Sequence, residues 1–137
     1  MTRIREATQR REGFLQACER ERCSVENVTS DLKPIHHALS SYDYIAIDQQ
    51  DFGSLDAHRT NLRNFEHECE EAAEERQIDI DRHRTEFELT PGECDLPEYL
   101  YADLAYDYPV LYLCSTVSTR LRKTRDQVEN AMVTTLE

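Results

Sequence analysis

Three glycines, two lysines and no long apolar run set the first limits on this chain. With only Gly13, Gly53 and Gly92, a glycine-rich loop that cradles phosphate is hard to build. Neither G-x-S-x-G nor H-E-x-x-H occurs, which removes the hydrolase nucleophile elbow and the zinc-protease helix. The richest apolar stretch, Tyr99 to Val117, is interrupted by Asp103 and Asp107. It falls short of the about 18 apolar residues a membrane span needs, so no membrane partner is expected. Met1-Thr2-Arg3 leads into a charged segment without the apolar stretch of a signal peptide. The five cysteines (Cys18, Cys23, Cys69, Cys94 and Cys114) are odd in number. Free thiols in a reducing cytoplasm are therefore the expectation.

What is abundant is acid. The formal net charge is -12, and the acids are densest from Glu66 to Glu75. Fourteen of the sixteen bases are Arg, leaving only Lys33 and Lys123 as lysines. Disorder, an acidic tail and adaptation to molar salt compete as explanations. Disorder is at odds with the good hydrophobic periodicity, and a tail is at odds with acids spread along the whole chain. At molar salt the screening length falls to about 3 Å, so carboxylates repel little while still holding water. Salt adaptation, a halophilic acidic protein, explains the pattern best.

The apolar fraction is 39% and charged residues make up 32%, which suits helices that each bury one stripe. Ile4, Ala7, Arg11, Phe14, Cys18, Glu21, Val25, Val28 and Leu32 follow a 3-4 spacing, with Arg11 and Glu21 interrupting the seam. They predict a helix over 3–32, about 45 Å long and stopped by Pro34. After a connection at 33–53, Ser54 is the expected N-cap of a helix over 54–80. Its stripe is Leu55, His58, Leu62, Phe65, Cys69, Ala72 and Arg76. A short helix is expected over 97–106. Pro109 then starts a last helix over 109–136, with Val110, Leu113, Val117, Leu121, Thr124, Val128, Ala131 and Thr135 in the seam. The run Ser115–Thr119 is a poor helix former and the expected place for a kink. The prediction is one all-α domain over 1–137: a small antiparallel bundle of three long helices plus a short one, with coiled-coil-like seams.

The C-terminal stretch Leu96-Pro97-Glu98-Tyr99-Leu100-Tyr101-Ala102-Asp103-Leu104, followed by Asp107-Tyr108-Pro109-Val110-Leu111, resembles a haloarchaeal family of small acidic helical proteins of unknown function. The resemblance lies mainly in residues 96–136. It implies a haloarchaeal source, or a virus or plasmid of one, and supplies no catalytic residues.

Candidate chemistry is sparse. His67-x-Cys69 on a helix points its side chains about 200° apart, and Cys18 and Cys23 diverge by about 140°, so neither pair readily shares a metal ion. Cys18 and Cys69 read instead as core thiols. No cofactor, metal site or catalytic residue is expected, and the protein is read as not an enzyme. Two surface features stand out. The run Ser118–Arg125 holds Arg120, Arg122, Lys123 and Arg125 with no acid, which fits either phosphate contacts or interhelical pairing with Glu66, Glu70, Glu71, Glu74 and Glu75. Pairing is the better reading, and a nucleic-acid-associated regulator is the alternative. Tyr99, Tyr101, Tyr106, Tyr108 and Tyr112 form the other feature, as wedges behind a Leu100/Leu104 contact or as a protein-docking surface. The expected role is therefore protein–protein contact, with a homodimer available to the same seams.

Overall fold

The computed structural model describes residues 2–86, 100–104 and 108–136. Three long helices dominate: α1 (Thr2–Tyr42), α2 (Phe52–Glu86) and α3 (Pro109–Thr135), with a single 3₁₀ turn at Ile47–Gln49. No strand occurs among the described residues, so the fold is all-α. Contacts fix the topology. Tyr42 meets His58 at 3.1 Å and Ser24 meets Asp79 at 2.6 Å, so α1 and α2 are antiparallel. Cys69 pairs with Cys114, and Glu66 with Arg125, so α2 and α3 are antiparallel too. All three helices share one core, in which α2 and α3 form the most extensive seam.

The predicted stripes form most of that core. Val28 and Leu32 of α1, Leu55, Leu62, Cys69 and Ala72 of α2, and Val117, Leu121 and Val128 of α3 are all buried. On α3, Cys114 takes the inward place expected of Leu113, which is exposed.

Four expectations need correction. Pro34 does not stop α1, which continues to Tyr42 and buries Ile35 and Leu39. Burying two such side chains contributes about 3–6 kcal/mol, which offsets the roughly 3 kcal/mol a helix-interior proline costs. The connection to α2 therefore shrinks to residues 43–51. Second, the α2 cap is Asp51 rather than Ser54: the Ser54 backbone N–H donates to Asp51 Oδ1 at 2.7 Å. That bond holds the Asp51 carboxyl below its usual range. Asp51→Ala is expected to lower the thermal midpoint by a few degrees, while Asp51→Asn keeps most of the cap. Because the folded-state value is depressed, the contribution is full above the usual aspartate range. It is lost as pH falls through the lower folded value, so the gap between wild type and Asp51→Ala closes in acid. Third, Ser115–Thr119 brings no break in α3. Buried Cys114, Val117 and Leu121 hold it, and the Thr116 hydroxyl donates back to the Tyr112 carbonyl at 3.0 Å. Fourth, the seam of α1 enters the core only from Ala17 onward, and Ile4, Ala7 and Arg11 are exposed. Of the short helix expected over 97–106, only 100–104 is described: Leu100 is helical, and 101–104 form a turn with the Leu104 N–H on the Tyr101 carbonyl at 2.9 Å.

Candidate functional site

The apolar core gives way to charge at one level of the α1–α2 seam. Seven residues before Val28, a buried glutamate, Glu21, occupies the inward position of α1; seven after Cys69, a buried arginine, Arg76, occupies that of α2. They are 2% and 1% exposed, and they form an ion pair between Arg76 Nη1 and Glu21 Oε1. Arg76 Nη1 also donates to Ser24 Oγ at 2.9 Å, and Ser24 in turn donates to Asp79 Oδ2 at 2.6 Å. One turn further along, buried His83 places Nδ1 3.9 Å from Glu21 Oε2. Tyr101 adjoins the same group. Burial, and then the negative charge of Glu21, push its phenol above the usual range, while Arg76 opposes them.

The arrangement makes the cluster a clamp. Both hydrogen-bonding roles of Ser24 are taken up inside the protein, and the Arg76 cation is matched by the Glu21 carboxylate. Beyond that ion pair, both Glu21 oxygens, Arg76 Nε and His83 Nδ1 have no hydrogen-bond partner among the described residues. Taking such groups out of water costs several kcal/mol, which only the pairing repays. Shifting α1 by one turn against α2 would separate the charges, so the cluster favours the observed register of the two helices. An open groove lined by Glu19, Cys23, Ser24, Asn27, Asp79, Arg82 and His83 runs over it. A larger cleft lies at the other end of the bundle, between Tyr42, Asp43, Ile47 and the α3 residues Gln127, Asn130 and Thr134; among the described residues its charged side chains are Asp43 and Asp48.

Sequence reasoning placed Glu21 and Arg76 on their seams without pairing them. The available signal was two opposite charges on the apolar stripes of successive helices. His83 was missed because the second helix was ended at residue 80.

The basic run is partly spent internally. Arg125 Nε donates to Glu66 Oε2 at 2.9 Å across to α2, and Nη1 to Glu129 Oε1 at 3.1 Å. These bonds hold the guanidinium charged more firmly than usual. The expected interhelical pairing thus occurs at Glu66, whereas Glu70, Glu74 and Glu75 are exposed and Glu71 instead bonds His67 at 3.0 Å. Arg122 and Lys123 are exposed and Arg120 half-buried, each without an ion pair among the described residues.

The tyrosines divide. Tyr99 and Tyr106 lie outside the described residues. Tyr101 and Tyr108 are half-buried, and Tyr112 is exposed. Arg84 donates to the Tyr108 hydroxyl at 2.5 Å and lies 5.9 Å over its ring. Leu100 and Leu104 are exposed, so they do not make the core contact expected of them; Leu100 is helical and residues 101–104 form a turn.

Of the thiols, Cys69 is buried and donates to the Cys114 carbonyl at 3.3 Å. Burial pushes it up to about 11, and Cys114 is raised for the same reason. Cys18 is half-buried and Cys23 exposed, while Cys94 lies outside the described residues. Brief alkylation of the native protein is expected to label Cys23 at least tenfold faster than Cys69 or Cys114, since the thiolate is the reactive form; peptide mass spectrometry reads this out. Equal labelling would contradict the packing. No group of three or more His, Cys, Asp or Glu converges as metal ligands among the described residues.

Fold and site together define a three-helix, all-α module clamped by a buried ion cluster. The chain belongs to the family described as "Domain of unknown function (DUF7260)", whose model matches residues 1–125. The match takes in α1, α2 and most of α3, so the family likeness extends well beyond the C-terminal stretch that suggested one. Neither the curated proteins nor the solved structures contain a match. No helix among the described residues is long and apolar enough to cross a membrane.

Proposed function

We propose that this protein is a non-catalytic interaction module of a halophilic cytoplasm, acting through protein–protein contacts. One observation carries the reading: the apolar spacing of α1 continues along its exposed opening turns. His83 of α2 sits level with Glu21, so the described part of α2, to Glu86, reaches about the level of Cys18. Beyond that level residues 2–12 of α1, about 16 Å of helix, are all exposed, while Gly13 and Phe14 are half-buried. Along this arm Ile4 is 73% and Leu15 59% exposed, on the same helical face as Ala7. Apolar residues repeating at helical spacing on an exposed helix are what a helix-packing partner buries. Tyr108 and Tyr112 stand near the root of the arm, since Tyr108 bonds Arg84 in the last turn of α2. They add amphipathic area of the kind found at interfaces.

The test is a photo-reactive phenylalanine analogue in place of exposed Thr8, irradiated in native lysate at molar salt. The expected result is a discrete protein adduct that disappears when Ile4→Asp and Leu15→Asp are also present. No adduct, or one indifferent to those changes, overturns the reading. For the halophilic part, the net charge of -12 and near-absence of lysine are the support. Circular dichroism over a KCl series is expected to show helix lost at low salt. Equal helicity and monodispersity at low and molar salt would refute it.

A further inference from the structure

The arm differs in charge from the rest of the chain. Arg3, Arg5, Arg10 and Arg11 are exposed there against only Glu6 and Glu12, in a protein of net charge -12. The reverse pattern lies on α2. Its buried stripe is Cys69, Ala72, Arg76 and Ile80, and on the opposite face Glu71, Glu74 and Glu75 are exposed. Ile78 is 55% exposed on that outward face, one turn after Glu74 and two turns after Glu71. An apolar stripe edged by arginines and an isolated isoleucine edged by glutamates are complementary in both apolar and charge character.

From this complementarity we infer that the occupant of the arm is a second copy of this chain, whose acidic α2 face receives it. The inference rests on the protein-contact reading above and names its partner. Exchange of arms between two copies gives a closed two-fold dimer in which each copy donates an arm and offers an α2 face. A phosphate backbone would meet the arginines but leave Ile4, Ala7 and Leu15 in water, whereas the α2 face offers Ile78 to the apolar stripe. At molar salt the charges act only at contact distance, so the apolar stripe supplies affinity and the charges select the face.

Sedimentation equilibrium of the full chain in molar KCl tests this. Wild type is expected to be dimeric. Reversing the arm (Arg3→Glu, Arg10→Glu, Arg11→Glu) or the α2 face (Glu71→Arg, Glu74→Arg, Glu75→Arg) is expected to raise the dissociation constant at least roughly tenfold. An equimolar mixture of the two reversed proteins is expected to recover a heterodimer, because both arm–face contacts are then complementary, one of them with its charges exchanged. All substituted positions are exposed, and circular dichroism checks folding; if a reversed protein unfolds, Gln at the same positions replaces it and the loss of dimer alone is read. A monomeric wild type, dimers indifferent to the arm, or folded reversed proteins that do not recombine would each overturn the inference. If the Thr8 adduct contains a different protein, the homodimer fails while the protein-contact reading stands.

Discussion

Arg76→Met is expected to destabilise the protein by about 3–5 kcal/mol, because it strands the Glu21 carboxylate in the core without its counter-charge. Glu21 is 2% exposed and among the described residues has no other Arg or Lys in direct contact; His83 Nδ1 is 3.9 Å away. Ser24 also loses the donor on its oxygen. Urea unfolding in molar KCl, followed by circular dichroism, measures the loss. The informative partner is the double variant Glu21→Leu with Arg76→Met. Replacing a buried ion pair by apolar groups of similar size is often neutral or stabilising, so the double variant is expected to recover most of the stability. The pair would then contribute register more than stability. Cysteine cross-linking across the α1–α2 seam would show the registers loosening in the double variant. If Arg76→Met costs less than about 1 kcal/mol, the pair does not meet in a buried setting and the clamp is wrong.

Pro34→Ala is expected to act in the opposite direction, stabilising the protein by about 2–3 kcal/mol. Pro34 lies inside α1 and lacks the N–H that would bond the Ser30 carbonyl, against which its ring also presses. Both residues are exposed, so Ala fills no cavity and meets no core atom. The gain comes from restoring one backbone hydrogen bond and relaxing that turn. Thermal unfolding in molar KCl checks it. Unchanged or lowered stability would mean that the missing hydrogen bond at Pro34 costs the helix nothing.

The same proline shows what the sequence revealed and what was overlooked. Leu32, Ile35, Leu39 and Tyr42 continue the 3-4 spacing of Val25 and Val28, so the helix beyond Pro34 was legible in the apolar pattern. A local rule was given precedence over a periodic one. The energies favour periodicity, because each buried aliphatic side chain contributes about 1.5–3 kcal/mol and two outweigh one proline. The kink expected at Ser115–Thr119 failed for a related reason. Weak helix propensity amounts to a few tenths of a kcal/mol per residue, and buried Val117 and Leu121 override it. On α1 the error ran the other way: the spacing was right from Ile4 onward, yet spacing cannot reveal where the neighbouring helices end.

The candidate site was legible only in part. Glu21 and Arg76 could be placed on inward faces from spacing alone, and Cys69 could be placed in the core. That Glu21 meets Arg76 depends on the offset between two antiparallel helices, set by the length of the 43–51 connection once α1 runs on to Tyr42. With α1 ended at Leu32, that offset could not be counted. The pairing of Arg125 with Glu66 was foreseen as a class of contact, but which glutamate would serve was not.

Composition and periodicity by themselves determined an acidic, lysine-poor, all-α chain with three amphipathic helices, because both depend on residue identity and order alone. Tertiary structure decided the rest: that α1 passes through its proline, that a glutamate and an arginine become partners in the core, and that the opening turns of α1 are left exposed. Each depends on how far one helix slides along another. That offset is fixed by packing between residues distant in sequence.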